Sequence, residues 1–215
     1  MQLQARGITK FFGDYPVLLG LDCRLSPGRC TVITGPNGSG KSTLLRLLCG
    51  LLKPNEGEIA VLDRGGKRLG APREMRSSFG LVSPEMQLYG ELTALENLTF
   101  FNSVRGGEEE HSSCWHLLRE LELEEWAHRE VAAFSTGMKQ KLRLAFALSH
   151  RPAFLLLDEP TSNLDGQGKK VVEKFITYQK QQGLVVALAT NDAEEAESFG
   201  DELVPLDQNR TGAAG

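Results

Sequence analysis

The sequence predicts an α/β fold with a mainly parallel sheet, an antiparallel β part and an inserted helical subdomain. Two short, continuous apolar runs, at residues 153–157 and 184–189, have the composition of strands buried on both faces. A segment with helical periodicity lies between them and places four apolar side chains on one inner face: Val171, Val172, Phe175 and Ile176. Buried strands that alternate with helices indicate a parallel sheet with short connections.

The other elements follow from local patterns. Residues 1–34 alternate short β-like runs with turns, and the helix that follows residue 40 is expected to stop near Lys53 and Pro54. Short strands are predicted in residues 56–82, joined by a loop rich in glycine and arginine at 64–73.

A long helical block separates the first helix from the strand at 153–157. Residues 84–150 are predicted to be mainly helical and to form an inserted subdomain, because one βαβ unit needs far fewer residues. Within that block, the acidic segment 106–110 is predicted to be a solvated loop. The polar tail, 208–215, is predicted to be flexible.

The composition of the chain argues against some classes of function. The chain has 215 residues, 40% of them hydrophobic and 24% charged, which is ordinary for a globular domain. A net charge of −4 argues against direct nucleic-acid binding. No apolar run reaches the roughly 20 residues that span a bilayer, so the chain is expected to be cytoplasmic. The four cysteines lack C-x-x-C spacing and are expected to be reduced: Cys23, Cys30, Cys49 and Cys114.

The most informative segment is residues 35–43, which read GPNGSGKST. They fit the phosphate-binding pattern G-x-x-x-x-G-K-[ST], between a β-branched run and leucines at helical spacing. Backbone N–H groups of such a loop surround a polyphosphate, Lys41 reaches the outer phosphates and Ser42 offers a hydroxyl to Mg²⁺. The residues predicted to bind nucleotide here are Gly35, Pro36, Asn37, Gly38, Ser39, Gly40, Lys41, Ser42 and Thr43.

A second motif, AFLLLDEP, occupies residues 153–160. A strand that ends in a carboxylate beside a phosphate loop can hold Mg²⁺, and Asp158 fits that role. Glu159 is expected to point elsewhere, because side chains alternate along a strand, and to polarise a water in line with the γ-phosphate. The two motifs together predict a P-loop NTPase core.

The ordered set of motifs resembles the nucleotide-binding subunit of an ABC transporter, over residues 1–207. Residues 134–140, FSTGMKQ, resemble the family's signature, usually LSGGQ, and 162–165, SNLD, resemble its D-loop. Phe12 falls where the family has an aromatic residue that stacks on adenine. Ser135 can also cap the helix that follows it, and that helix end forms a second anion site.

This resemblance implies one ABC ATPase domain, with a nucleotide-binding core (1–83 and 151–207) and a helical subdomain (84–150). It implies ATP and Mg²⁺ as ligands, and a head-to-tail homodimer in which the signature of each subunit closes on the other's ATP. The signature and D-loop residues assigned to that composite site are Ser135, Thr136, Gly137 and Asp165. A separate integral-membrane permease is implied as the partner, and would hold the subunit on the inner face of the membrane. The haem-exporter subunit is a looser relative.

Two positions depart from the family pattern. The expected Q-loop glutamine is Pro84, and Glu85 is the nearby oxygen donor that could replace it as a Mg²⁺ ligand. The expected T-H-D sequence is T-N-D, with Asn191, which can donate to a γ-phosphate but cannot carry a proton. The enzyme either hydrolyses ATP slowly through Glu159 or binds ATP without useful turnover, and the intact Asp158 and Glu159 favour hydrolysis.

Two other functions remain open from the sequence. A soluble, non-transport ABC ATPase would act on a protein or nucleic-acid assembly, but such proteins usually carry a second domain or coiled-coil or zinc insertions. A binding module gated by nucleotide would lack turnover. The transported substrate and the direction of transport are not encoded in any recognisable motif.

Overall fold

The computed structural model of the chain describes residues 1–104 and 111–206, which form two sheets flanked by helices. The first sheet is antiparallel, with the strand order β2–β1–β4–β5. Its strands are β1 (Gln2–Phe12), β2 (Tyr15–Leu25), β4 (Glu56–Leu62) and β5 (Arg68–Gly70). It is the antiparallel β part that the sequence predicts.

The second sheet is parallel at every pairing, with the strand order β6–β7–β8–β3–β9. Its strands are β3 (Cys30–Thr34), β6 (Phe79–Val82), β7 (Phe154–Asp158), β8 (Val185–Thr190) and β9 (Glu202–Pro205). The two buried apolar runs of the sequence are the central strands β7 and β8. The prediction of a mainly parallel α/β fold is therefore confirmed.

Helices cover both faces of the parallel sheet. They are α1 (Lys41–Leu48), α2 (Ala94–Val104), α3 (His111–Glu120), α4 (Thr136–Leu148), α5 (Gly166–Gln181) and α6 (Ala193–Phe199). Short 3₁₀ turns occupy Pro72–Glu74, Arg76–Ser78, Glu124–Trp126 and Val131–Ala133.

Strand β7 shows how the core is divided. Leu155 and Leu157 belong to a cluster with α4 and α5, whereas Phe154 and Leu156 belong to a cluster with α1 and the antiparallel sheet. Successive side chains of a strand point to opposite faces, so a strand covered on both sides must be apolar throughout. This explains why β7 and β8 lack the alternation of a half-exposed strand.

Helices α2, α3 and α4 are inserted between two strands that pair directly. Strands β6 and β7 are parallel neighbours, with Gly80 opposite Leu155, yet the three helices lie between them in the chain. The mainly helical character predicted for residues 84–150 is confirmed. The boundaries of the helical subdomain stay a prediction.

Two local predictions were wrong. Helix α1 ends at Leu48 rather than near Lys53, because Gly50 has a left-handed φ of 74° and lies against Arg73, where a Cβ would be 2.4 Å from the backbone nitrogen. The predicted loop at 64–73 contains strand β5, which pairs with β4. The predictions for 106–110 and 208–215 lie outside the described residues.

All four cysteines have free thiols, as expected. Burial raises the pKa of Cys30 to about 12, and that of Cys23, beside Asp22, also to about 12. Thiols with such pKa values stay protonated and unreactive at neutral pH. Within residues 1–104 and 111–206, no helix is both long and apolar enough to cross a membrane.

Candidate functional site

The phosphate loop connects β3 to α1 at the carboxyl end of the parallel sheet. Gly40 caps α1 with a left-handed φ of 96°, and a Cβ there would lie 2.8 Å from Val17 Cγ1. A side chain at this position would therefore be strained and would collide with β2. The Lys41 side chain is buried, and its ammonium donates to the carbonyl oxygens of Gly35 (2.7 Å) and Pro36 (3.1 Å).

A cleft of about 420 Å³ opens beside this loop. It is lined by Phe12, Val17, Asn37, Gly38, Gly40, Lys41, Ser42, Thr43 and Glu159. The structure thus brings the predicted aromatic residue, most of the predicted phosphate-binding residues and the predicted catalytic acid to one cavity. The Ser39 hydroxyl, in the same loop, is buried and has no hydrogen-bond partner among the described residues. A buried donor without a partner fits a loop built to surround an anion.

Phe12 lies at the end of β1, and about half of its surface is exposed. The Lys10 ammonium lies 5.3 Å from the centroid of the Phe12 ring, within cation–π distance. The ring is therefore exposed at the cleft, where a flat heteroaromatic base could stack on it.

Asp158 is the last residue of β7 and is only 6% exposed. Burial raises the pKa of its carboxyl group, while a hydrogen bond with Ser42 and the charges of Arg46 and Lys41 act in the opposite direction. A buried carboxylate hydrogen-bonded to a hydroxyl supplies the hard oxygen ligands that Mg²⁺ prefers. No cluster of three His, Cys, Asp or Glu side chains suited to a metal occurs in the described part of the chain.

Glu85 lies close enough to Asp158 for its charge to raise the pKa of that carboxyl group. Its side chain is exposed and forms a 2.6 Å ion pair with Arg46 of α1. The structure therefore places Glu85 near the predicted Mg²⁺ ligands but pairs it with an arginine. An exposed pair of this kind contributes little to stability and can open.

The alternation of a strand, on which the prediction for Glu159 rested, does not extend to this residue. Strand β7 has already ended, and Glu159 takes a left-handed backbone conformation with φ 50°. Its N–H donates to the carbonyl oxygen of Ala189 at 2.9 Å. Strained residues of this kind persist where neighbouring contacts fix them, and they are concentrated at functional sites.

Asn191 follows strand β8 directly, and its amide nitrogen donates to Asn37 Oδ1 at 3.0 Å. The side chain therefore lies beside the phosphate loop. Asn191 is not the cap of the helix that follows it. Asp192 caps α6, since its Oδ1 accepts the N–H groups of Glu194 (2.9 Å) and Glu195 (3.3 Å).

The signature segment forms the N-terminus of α4, as predicted. Ser135 is the N-cap, its Oγ accepts the Met138 N–H at 3.2 Å, and Thr136 begins the helix. A Cβ on Gly137 would lie 3.2 Å from Leu164 Cδ2, so the signature lies against the D-loop. Asp165 in that loop caps α5 by accepting the Gly168 N–H at 2.7 Å. None of these residues lines the cleft beside the phosphate loop.

Two buried polar side chains lie behind the site and belong to no motif that the sequence displays. Gln140 of α4 is 5% exposed, and its amide donates to the carbonyl oxygen of Pro160 at 3.1 Å. Glu195 of α6 is 8% exposed, and two threonines, Thr190 and Thr161, lie close enough to its carboxyl group to lower the pKa. In the sequence, such a residue can be recognised only as a polar residue on the apolar face of a helix. Glu195 is an example, because it lies four residues before the buried Phe199 and therefore on the same helical face.

Comparison with known proteins identifies the family. The family model described as ABC transporter matches residues 18–162. The chain is 38% identical to the Nod factor export ATP-binding protein I of Rhizobium sp. (strain N33), covering 97% of this chain and 69% of that protein. It is 33% identical to the glutamine transport ATP-binding protein GlnQ of Escherichia coli (strain K12), covering 97% of this chain and 88% of that protein.

A solved structure of a dimeric bacterial ABC transporter cassette superposes with a TM-score of 0.82, covering 95% of this chain and 94% of that one, at 28% identity. The fold, the ordered motifs around the phosphate loop and these relatives agree. The chain therefore belongs to the ABC transporter family, as an ATP-binding subunit with ATPase activity coupled to transport.

Proposed function

We propose that the cleft beside the phosphate loop binds Mg-ATP in a defined orientation. Phe12 stacks on the adenine, and residues 35–43 hold the phosphates, with Lys41 at the outer ones. Ser42 and Asp158 hold Mg²⁺, and Glu85 becomes a further oxygen donor when its ion pair with Arg46 opens. The observations that support this assignment are the shared cleft, the buried Ser39 hydroxyl and the contact between Ser42 and Asp158.

Hydrolysis in this proposal depends on Glu159 and Asn191. Glu159 lines the cleft and polarises the attacking water, while the Asn191 amide donates to the γ-phosphate. In the structure that amide donates to Asn37 Oδ1, in the phosphate loop. Because asparagine does not titrate near neutral pH, turnover is slow compared with an enzyme that has histidine at this position.

The complete site needs two copies of the chain. The single observation that carries this proposal is that the capped N-terminus of α4, at Ser135, does not line the cleft of its own chain. A helix N-terminus favours anions, so this one is suited to the phosphates of another chain's nucleotide. Two chains arranged head to tail about a twofold axis would place each signature over the partner's ATP. ATP binding would close this homodimer and hydrolysis would reopen it.

The partner of this homodimer is a separate integral-membrane permease, which holds it at the inner, cytoplasmic face of the membrane. The related proteins named for Nod factor export and glutamine transport support a transport role over the soluble, non-transport alternative. The haem-exporter resemblance and the absence of direct nucleic-acid binding stay predictions.

A complementation experiment tests the composite site. Lys41→Ala removes the phosphate-loop lysine, and Ser135→Arg places bulk and charge in the signature, so each variant alone should be inactive. In a 1:1 mixture, about half of the dimers contain both chains, and each of these has one intact site. ATPase activity should recover to about a quarter of the wild-type value. A mixture as inactive as its components would contradict the composite site.

The permease is tested by isolation from membranes. A tagged chain expressed in its own host should be recovered from detergent-solubilised membranes in a fixed ratio with a multi-span protein. Salt washing controls for loose adsorption, since an electrostatic contact weakens at high ionic strength. Recovery of the chain only outside the membrane fraction would contradict the permease.

A further inference from the structure

Glu195 is a buried acid to which the proposed reaction assigns no role. It lies in the first turn of α6 and is 8% exposed. Helix capping does not require its carboxylate, because Asp192 already accepts the free N–H groups at that helix end. Its Oε1 is buried and has no hydrogen-bond partner in the described ranges, so the carboxylate is not fully satisfied.

The carboxylate instead lies between two loops. The hydroxyl groups of Thr190 and Thr161 both lie close enough to lower the pKa of the Glu195 carboxyl group, and these residues are themselves 1% and 6% exposed. Thr161 lies two residues after Glu159, and Thr190 lies immediately before Asn191. One side chain is therefore near both the loop that carries the proposed water-polarising acid and the loop that carries the proposed γ-phosphate donor.

The geometry of the Glu159 loop requires support. Glu159 and Asn163 both have left-handed backbone conformations, with φ of 50° and 63°. Such residues keep their conformation only where surrounding contacts hold them. On the other side of this loop, Gln140 donates to the carbonyl oxygen of Pro160. The contact between Glu195 and Thr161 holds the loop from the side of α6.

Stability alone is a poor explanation for Glu195. Burial raises the pKa of its carboxyl group, so the fold disfavours the charged form, and a buried apolar residue would avoid that cost. The charge of Asp192 raises the pKa of Glu195 and the charge of Lys169 lowers it. The Lys169 ammonium itself lies 3.7 Å from Asp192 Oδ2. A carboxylate is nevertheless well suited to accept hydrogen bonds from two hydroxyl groups.

We propose that Glu195 is a positioning residue that fixes Glu159 relative to Asn191 by joining Thr161 to Thr190. This inference rests on the roles of Glu159 and Asn191 in the proposed function. Hydrolysis needs the water, its base and the phosphate donor in one arrangement, and a displacement of about 1 Å can cost on the order of 100-fold in rate.

The kinetic test uses Glu195→Ala, Glu195→Gln and the control Glu194→Ala, which changes an exposed acid in the same helical turn. Glu195→Ala should lower the single-turnover rate by about 10- to 100-fold, with the Kd for ATP within about twofold of wild type. Glu195→Gln should restore most of the rate, because glutamine keeps the size and an acceptor oxygen. Equal losses in Glu195→Ala and Glu194→Ala, or no rescue by glutamine, would overturn the proposal.

The bridge itself is tested with Thr161→Val. This change should lower the rate in the wild-type background and have no further effect in Glu195→Ala, because the shared contact is already lost. Fully additive effects would show that the carboxylate does not connect the two loops, and would overturn the proposal.

A measurement on the nucleotide-free protein separates this proposal from the proposed function. The N–H groups of Glu159, Ser162 and Leu164 are hydrogen-bonded within or beside the loop. Their hydrogen exchange should become at least about 10-fold faster in Glu195→Ala and stay unchanged in Glu194→Ala. A lower melting temperature with unchanged exchange and an unchanged rate per folded molecule would overturn the bridge. A wild-type chain without turnover would contradict only the proposed function.

Discussion

At the scale of single residues, Lys41 provides the most direct test of the phosphate loop. Its buried ammonium donates to two loop carbonyl oxygens, and these same donors would turn to the phosphates of ATP. Lys41→Ala should abolish measurable ATP binding, as determined by titration calorimetry. The exposed Lys67, changed to alanine, is the control. ATP affinity equal to that of the wild type in Lys41→Ala would contradict the assignment.

Asn191 stands where the family resemblance leads us to expect a histidine, and we propose that it takes part in the reaction. Asn191→Ala should lower the single-turnover rate by about 10- to 100-fold through loss of the phosphate contact, with no loss of stability, because Asp192 makes the cap. Asp192→Ala should instead lower the free energy of unfolding by about 1 kcal/mol. Measuring hydrolysis and thermal melting on the same samples distinguishes the two changes.

The pH profile of the wild-type enzyme gives a second test of Asn191. It should lack an inflection near pH 6.5, where a histidine would titrate, and Asn191→His should raise the rate. A histidine-like inflection in the wild type, or an unchanged rate in Asn191→Ala, would remove Asn191 from the active site.

The sequence predicted the residues of the phosphate loop and the Asp158–Glu159 pair because their spacing along the chain is fixed by their chemistry. It did not predict the roles of Gln140 and Glu195. Their partners, Pro160, Thr161 and Thr190, lie in other elements, and burial by tertiary packing leaves no local signature beyond a polar residue on an apolar face. The backbone turn at Glu159 was also not visible in the sequence.

At the scale of elements, helix α6 carries a pH-dependent contribution to stability. Burial raises the pKa of Glu195, so the folded state holds its proton more tightly than the unfolded state does. Its contribution is fully present below the unfolded pKa, about 4.3, and is lost as the pH rises through the folded pKa. The negative charge of Asp192 also raises the pKa of Glu195, whereas the positive charge of Lys169 lowers it.

Glu195→Gln removes this titration. The free energy of unfolding of the variant, relative to the wild type, should therefore increase as the pH rises from about 4 and then level off above the folded pKa. Urea unfolding of both proteins across this range measures the difference. Parallel stability curves would contradict a raised pKa for Glu195.

Element boundaries were less predictable than element types. The length of α1 was overestimated because leucines continue at helical spacing beyond Leu48, whereas the chain turns at Gly50 to meet Arg73. Strand β5 was missed because it is short and exposed, and its pairing with β4 is a tertiary contact.

At the scale of the whole molecule, the parallel sheet was predictable because its central strands are covered on both faces and are apolar throughout. The helical insertion was predictable because too many residues separate two motifs that must meet. The division into a nucleotide-binding core and a helical subdomain remains a prediction. The packing of the signature against the D-loop in one chain could not be predicted, since it depends on how that insertion docks.

That packing would link the two halves of the proposed composite site. Gly137 contacts Leu164, and Gln140 of the same helix holds Pro160 beside Glu159. A partner's nucleotide bound at the signature of one chain would therefore rest on the element that positions that chain's own Glu159. This arrangement offers a route by which the two sites of the proposed dimer are coupled.

The central claim is that ATP closes two copies of this chain and that Glu159 reopens them by hydrolysis. Glu159→Gln should bind ATP, lose hydrolysis and run as a lasting dimer in size-exclusion chromatography with ATP in the absence of Mg²⁺. Adding Ser135→Arg to the same chain should restore the monomer. A Glu159→Gln protein that stays monomeric with ATP at every concentration, or that hydrolyses ATP at the wild-type rate, would contradict the account.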